Sequence, residues 1–382
     1  MSAIKILQTS FHTEWNGQVA RIFLLSRELA QRGHRVVIAT PAGSALARRA
    51  DAEGLSVFTQ VQFKKTNRPF SFLRDALALG RLARAEGFDL LHTHGSQDTW
   101  AAIAAVRLFR LGMPLLLTRH NTKPVRFNRT NRWLYRRGID RLVVVSRASL
   151  EAYRAFFAAD VLKREDVAVI HSSVDLGRFA ALADPSALRA ELGVPRSAPL
   201  VGVVGRVSKD KGHEILLDAI PEVLEEFPDA VFVFAGKVGR RLGPKVRSTI
   251  QDKGLENSVR LLGFREDIVS ITAALDVSVL PAVGTDSSPA VLKEAILLGK
   301  PVVASRLAGL PEIVPEGAGI LVEPGNPREL ARAIVATLRR RENGAAPKAD
   351  FPKQFTPGFM CEAYLEVYAR TLGVDAARRS AT

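Results

Sequence analysis

Residues 4–39 read IKILQTSFHTEWNGQVARIFLLSRELAQRGHRVVIA. The stretch opens and closes on short apolar runs, and the two fit parallel strands over 4–7 and 35–39. Parallel neighbours need a crossover of a dozen or more residues. The amphipathic pattern over 19–32 supplies it as a helix, with Gly33 as its C-terminal glycine. This βαβ unit then repeats: strand patterns follow at 57–59, 90–93, 115–118, 142–145 and 167–170, with helical patterns at 70–85 and 97–110. Strands alternating with helices imply a doubly wound α/β domain with helices on both faces of a parallel sheet.

Between Ala187 and Pro199 the text turns Pro-rich and polar, which places an interdomain segment near 175–198. A second series begins at 200–205 and continues with strands at 231–235, 259–261, 277–280, 301–304 and 320–322, and helices at 213–226 and 289–298. A last helix is predicted over 357–372, ahead of a polar tail. The expected division is 1–178, 179–356 and 357–382. No repeat of 20–50 residues is present, so a solenoid is excluded.

Composition agrees with two folded domains. A chain of 382 residues exceeds what one core supports. Its 47% hydrophobic and 24% charged content excludes disorder and coiled coil. No stretch approaches 18 uncharged apolar residues, and the start MSAIKIL lacks the basic segment of a secretory signal, so a cytoplasmic location is expected. The single Cys361 cannot form an internal disulfide or a thiolate cluster, and no Cys-His spacing suggests zinc. The formal charge of +15 is unevenly spread: residues 1–180 hold 28 basic and 14 acidic side chains. The densest run is Arg119, Lys123, Arg126, Arg129, Arg132, Arg136, Arg137 and Arg141, interleaved with Phe127, Trp133, Leu134 and Tyr135 as in an amphipathic basic segment. Such a half attracts phosphates on lipid, nucleic acid or small molecules.

Ligands of open α/β sheets bind beyond the carboxyl ends of the strands. The residues there are Gln8-Thr9-Ser10 and then Asn16-Gly17-Gln18 at a helix start, where free backbone N–H groups suit an anion. His92-Thr93-His94-Gly95-Ser96 and Arg119-His120-Asn121 follow later strands. In the second series come Gly205-Arg206 with Lys211-Gly212, and Thr285-Asp286-Ser287-Ser288-Pro289 with helical Lys293-Glu294. Ser288-Pro289 also reads as a helix start, N-cap then first-position proline. Cations at one loop and carboxylates at the other suit a phosphorylated, polyhydroxylated ligand.

In this order the motifs resemble the retaining GT-B glycosyltransferases of family 4. The second series carries the resemblance through Gly205-Arg206, Lys211-Gly212, Glu294-Ala295, Gly299 to Ala304 and Gly309-Leu310-Pro311-Glu312. The first adds Asn16-Gly17, residues 32–36, His92-Thr93-His94, His120-Asn121 and Val144-Val145-Ser146, and Val174-Asp175 with Arg178-Phe179 resembles the family's junction. The resemblance implies two Rossmann-like domains facing across a cleft, with the C-terminal helix returning to the first. It implies that Arg206 and Lys211 hold the diphosphate of a nucleotide sugar and neutralise the leaving charge, that Glu294 bonds the ribose, and that Asp286 contacts the sugar. The donor set further takes in Gly17, Ser287, Ser288 and Phe264, the last beside a base recognised through backbone atoms. His120 is implied at the donor sugar and acceptor as a catalytic group, and Asn16, Gln18, His94, Arg119 and Asn121 at the acceptor. Three positions depart from the pattern: Asp286 where Glu is usual, Ser172-Ser173 for Asn-Gly, and a single Gly17 for a glycine pair.

The function so implied is transfer of a sugar, with retention, from a nucleotide-diphosphate sugar to an acceptor; the basic first half adds the expectation that it docks on an anionic inner membrane surface or holds an acidic, lipid-linked acceptor, as in lipopolysaccharide or surface-polysaccharide assembly. No metal or other cofactor is required on this reading: His92, His94 and His120 serve as polar lining rather than metal ligands. Gly202, Gly205, Gly236 and Gly239 do not form a dinucleotide or P-loop fingerprint. Two alternatives remain. A nucleotide-sugar epimerase of the same fold would need no second substrate. A nucleic-acid-binding protein would explain the basic segment but leave Asp286 and Glu294 without a role.

Overall fold

The computed structural model describes residues 2–64, 69–179, 184–239, 242–284, 286–344 and 350–374. They form two compact units, one comprising the chain up to Asp175 and from Gln354 onward, the other Leu176–Lys353. The divisions thus fall a few residues before 178 and 356.

The first unit is built on seven parallel strands, β1 (Lys5–Thr9), β2 (Arg35–Ala39), β3 (Ser56–Phe58), β4 (Leu90–Thr93), β5 (Leu115–Arg119), β6 (Arg141–Val144) and β7 (Val167–Val169), in the order β3-β2-β1-β4-β5-β6-β7. Alternate side chains feed opposite faces: Leu115 and Leu117 join one core layer and Leu116 the other. The helix Gly17–Gln31 covers one face, and the C-terminal helix Pro357–Thr371 packs against it, burying Met360, Cys361, Tyr364 and Tyr368 in the same layer. The C-terminal helix therefore belongs to the first unit.

The second unit has six parallel strands, β8 (Leu200–Val204), β9 (Val231–Ala235), β10 (Val259–Gly263), β11 (Val277–Leu280), β12 (Val302–Ser305) and β13 (Gly319–Val322), in the order β10-β9-β8-β11-β12-β13. Its strands read as near-continuous apolar runs because helices cover both faces; all five residues of β9 are buried. In each sheet the order reverses beside the first strand, the crevice where such folds bind ligands.

Three sequence expectations change. The segment near 175–198 is not a linker from 184 onward: Pro185–Glu191 is a helix capped by Asp184, and Leu188, Val194 and Ala198 enter the second core. Buried Arg189 ties it down through Pro195 O, Ala274 O and Asp276. Proline opened a helix there instead of interrupting one. The basic run over 119–141 is not one amphipathic element. It is a loop, a short helix Arg129–Trp133, a π-helical turn Leu134–Gly138 and the start of β6. Helices at Ala45–Ala52, Leu242–Asp252, Ile268–Ala274 and Pro327–Glu342 complete the layers without having been anticipated.

Candidate functional site

In the second unit three strand-end loops converge. Gly212, which opens the helix His213–Glu226, has φ +70°, and a Cβ there would lie 1.7 Å from the carbonyl oxygen of Pro281. Only glycine allows that approach. The crossing is fastened by Asp210 O, which accepts from Val283 N at 3.0 Å and Gly284 N at 3.1 Å. It sets Lys211 in an ion pair with Asp286, both largely shielded. From the loop after β12, Gly309 N donates to Asp286 O at 3.2 Å. The helix start at Gly212 has no side-chain cap, so its N–H groups and dipole add to the Lys211 charge. Arg206 is exposed, with no ion pair among the described residues.

Glu294 projects from the helix Ala290–Leu297, is 3% exposed, and pairs with Arg178 at 2.9 Å. The predicted cap at Ser288 is not formed. Pro289 occupies the N-cap position without a side-chain bond, because the Ser288 hydroxyl accepts instead from the buried ammonium of Lys293 at 2.7 Å. Ser287 Oγ is buried in the same turn, without a partner among the described residues. Phe264 follows β10 with 71% of its surface exposed. Thr285 lies outside the described residues.

The first unit gathers a histidine array at the ends of β4 and β5. His94 Nε2 meets Gln8 Oε1 at 2.9 Å, and His94 Nδ1 meets His120 Nε2 at 3.1 Å. Gln8 Nε2 donates to Ser26 Oγ at 3.1 Å, so its oxygen accepts the His94 Nε2–H. His94 then accepts from His120 Nε2–H, which leaves His120 Nδ1 as an open lone pair. His92 bonds Tyr368 at 2.8 Å and Thr118 at 2.7 Å, and its ring lies 4.1 Å from that of His94. Thr118 also meets Tyr364 Oη at 3.0 Å, which accepts from the buried Arg21 Nε at 3.1 Å. Burial, and then neighbouring positive charge, holds all three histidines well below their ordinary range, so they are neutral at pH 7. Asp98, pushed up to about 6 by burial, accepts from Thr9 Oγ1 at 2.6 Å and His94 N at 2.9 Å. The ring nitrogens of His92 and His94 are thus occupied by hydrogen bonds.

Other first-unit candidates are occupied differently from the sequence reading. The N–H groups at the start of the helix Gly17–Gln31 are not free: Asn16 Oδ1 accepts from Gln18 N and Val19 N at 3.0 and 3.1 Å. Asn16 is a helix cap, as its residue type favours. Gln18 Nε2 donates to His94 O at 2.9 Å, bracing the array. A side chain at Gly17 would meet open space. Asn121 closes its own turn through Lys123 N, and Arg119 Nε is buried without a partner among the described residues. The junction motif divides: Asp175 holds Arg27 and Arg49 of the first unit at 3.1 and 3.0 Å, while Arg178 serves Glu294. Sequence reading missed the roles of Arg178, Gln8, Arg21, Tyr364 and Tyr368; the i, i+4 spacing of the two tyrosines is the only local signal among them.

Two family models match the chain, glycosyl transferases group 1 over residues 198–340 and glycosyltransferase family 4 over 15–178. The chain belongs to the group 1, family 4 glycosyltransferases, and its fold is GT-B. It is 29% identical to the 2-deoxystreptamine N-acetyl-D-glucosaminyltransferase of Streptomyces fradiae, over 94% of this chain and 91% of that one. To the D-inositol 3-phosphate glycosyltransferase of Corynebacterium kroppenstedtii it is 33% identical over 51% of its length, and the match spans 45% of that relative. The structure of Anabaena HepE in complex with UDP-glucose matches with a TM-score of 0.73 and 25% identity, covering 99% of this chain and all of that one.

Proposed function

We propose that the protein transfers a sugar, with retention, from a nucleotide-diphosphate sugar held on the second unit to an acceptor held on the first. The observation that carries this reading is the convergence of Lys211, Asp286 and the uncapped helix start at Gly212, with Glu294 fixed by Arg178. The helix start and Lys211, with the exposed Arg206, would take the diphosphate, whose charge grows as the bond from the sugar C1 to the phosphate oxygen breaks. Glu294 would bond the ribose hydroxyls and Asp286 the sugar. In a front-face transfer the acceptor oxygen bonds C1 on the side the diphosphate leaves, and the acceptor proton passes to the departing phosphate oxygen. No protein nucleophile is then needed, and the neutral His120, with its open Nδ1, would accept a hydrogen bond from a sugar or acceptor hydroxyl. HepE, solved with UDP-glucose, suggests a uridine donor.

For the acceptor we infer a lipid-linked glycan at an anionic membrane surface. Arg119, Lys123, Arg126, Arg129, Arg132, Arg136 and Arg137 enter no ion pair among the described residues. Phe127 at 42% and Phe70 at 89% exposure add apolar contacts. Both follow the carboxyl ends of their strands, the edge that bears the histidine array. No described helix is long and apolar enough to cross a membrane. Arg119, Lys123, Arg126 and Arg129 follow the carboxyl end of β5, and at about 1 kcal/mol per basic residue near anionic lipid they supply on the order of 4 kcal/mol.

The test is release of UDP from UDP-glucose with and without lipid-linked acceptor, alongside sedimentation with vesicles of neutral or anionic lipid. Acceptor-dependent release and binding confined to anionic vesicles support the reading. Conversion of the donor to an epimeric nucleotide sugar without acceptor and without net release of UDP would replace transfer by epimerisation. Equal sedimentation with both lipids at low salt would refute the membrane surface and favour a small polyhydroxylated acceptor, as the relatives' names suggest.

A further inference from the structure

At the amino edge of the second sheet, the end opposite Lys211 and Asp286, the segments leading into β11, β12 and β13 and the last turn of the helix Pro327–Glu342 enclose a pocket of about 510 Å³. That is a ligand-sized volume. Its charged lining is Asp276, Lys300, Arg340 and Arg341. The one carboxylate is already spent. Asp276 Oδ2 accepts from Leu200 N at 2.7 Å and faces Arg189 Nη1 at 3.3 Å, while Oδ1 pairs with Arg341 at 2.9 Å. Lys300 and Arg340 have no side-chain hydrogen bond or ion pair among the described residues.

An exposed arginine in a last helical turn is explained by the helix dipole alone. Lys300 is not so explained: it precedes β12, is half-buried, and burial pulls its ammonium below the ordinary lysine range. Asp276 offsets part of that cost, but it is shared with Arg189 and Arg341, whose positive charges act against Lys300 in turn, so a bound anion would repay the remainder. Lys300 and Arg340, forty residues apart in the chain, line this one cavity, and they supply it with a point charge and a planar fork. That combination grips a tetrahedral oxyanion.

We propose that this pocket is a second anion site, which takes a small molecule bearing a phosphoryl group and is separate from the donor site. The assignment is independent of the glycosyl-transfer reading, since it uses none of the same residues. Its chemistry is shared by free phosphate and phosphate esters, and the test separates them.

The test is calorimetric titration with inorganic phosphate, and separately with glycerol phosphate, against sodium chloride of equal ionic strength. It uses the full chain carrying Lys211→Ala, so that the donor site contributes least, and then the same chain with Arg340→Ala or Lys300→Met added. Saturable binding that survives Lys211→Ala and weakens at least tenfold on Arg340→Ala supports the site. Tighter binding of glycerol phosphate than of phosphate identifies an ester as its ligand, and the reverse identifies the free ion. Because Arg340 is exposed, its removal leaves the fold intact, so a failure of Lys300→Met to fold does not prevent the reading. Binding that vanishes in Lys211→Ala alone, that is unchanged by Arg340→Ala, or that chloride reproduces would overturn the proposal.

Discussion

Gly212→Ala is the sharpest perturbation of the second-unit loops. At φ +70° an alanine pays the left-handed penalty of about 1–2 kcal/mol. Its Cβ would also begin 1.7 Å from a backbone carbonyl oxygen, Pro281 O, which no rotamer can move aside. Ordinary contact requires a further separation of about 1.5 Å, so the two loops must part and the bonds from Val283 N and Gly284 N to Asp210 O must stretch. Lys211 moves with its loop, and a misplacement of about 1 Å costs on the order of 100-fold in rate. Gly254→Ala is the internal control, with φ +63° and nothing within 4 Å of the added methyl, so it pays the backbone penalty alone. Thermal melts combined with donor-turnover kinetics separate the two effects. Gly254→Ala should lower the transition by roughly 2–8 °C, at about 2–4 °C per kcal/mol for a unit of this size, and keep full kcat. Gly212→Ala should melt lower still and lose about two orders of magnitude in kcat. Equal melting and equal kcat in the two variants would refute the claim that this glycine crossing positions Lys211.

Lys211→Ala should lower kcat by about 100- to 1000-fold, the scale of losing one charge stabiliser in a transition state, and circular dichroism should remain unchanged. Arg178→Ala removes an ion pair from the buried Glu294 and should cost about 1–3 kcal/mol in stability, read by urea titration, with Arg178→Lys recovering part of it. Asp286→Asn releases Lys211 from its carboxylate, so the donor KM should fall while kcat also falls; a rise in KM would show that Asp286 chiefly binds the donor. For pH, the depressed folded-state values of His92, His94 and His120 mean that the unfolded chain takes up more protons below about 6.5. Their contribution is complete above that pH and is lost on acidification. Asp98, raised to about 6, contributes in the opposite sense: its stabilisation is present below about 4 and lost as pH rises through 6. Three histidines outweigh one carboxyl, so the first unit should melt progressively lower from pH 7 to pH 5, and a flat or rising profile would contradict the neutral array.

Fold was legible wherever burial is two-sided. The strands 35–39, 231–235 and 277–280 have the observed limits because each is a mostly apolar run between turn residues, as parallel sheets covered on both faces require. Helices rich in charge were not legible. Pro327–Glu342 carries two acidic and five basic residues, and only the stripe through Leu330, Ile334 and Leu338 betrays it. The linker reading failed at Pro185–Glu191 because proline has opposite meanings inside a helix and at its first turn. In the candidate site, positions were readable and roles were not. Strand ends point to Lys211, Asp286, His94 and His120, but nothing local distinguishes a glycine that tolerates a crossing from one that closes a helix. Partners far apart in sequence, such as Arg178 with Glu294 or Arg21 with Tyr364, are set by the fold alone.

The two units differ in how they hold charge, and this follows from the depth at which each places its polar groups. In the first, His92 and His94 are side chains of β4 and of the residue after it, inside the sheet layers, where an imidazolium would be unsolvated. The buried Arg21, held by Ile170 O at 2.6 Å and by Tyr364, is a permanent positive charge there, and it disfavours a second. Tyr364 and Tyr368 come from the C-terminal helix, which explains why that segment must return to the first unit: without it the array loses both its hydrogen bonds and its cover. In the second unit Lys211, Arg206 and Asp286 stand on the loops that follow the strands, outside the sheet layers. A neutral hydrogen-bonding wall suits recognition of hydroxyl groups, whereas cationic loops suit a diphosphate. Donor and acceptor can then be recognised by different physics, and a change in salt concentration should act on the second unit's ligand far more than on the array of the first.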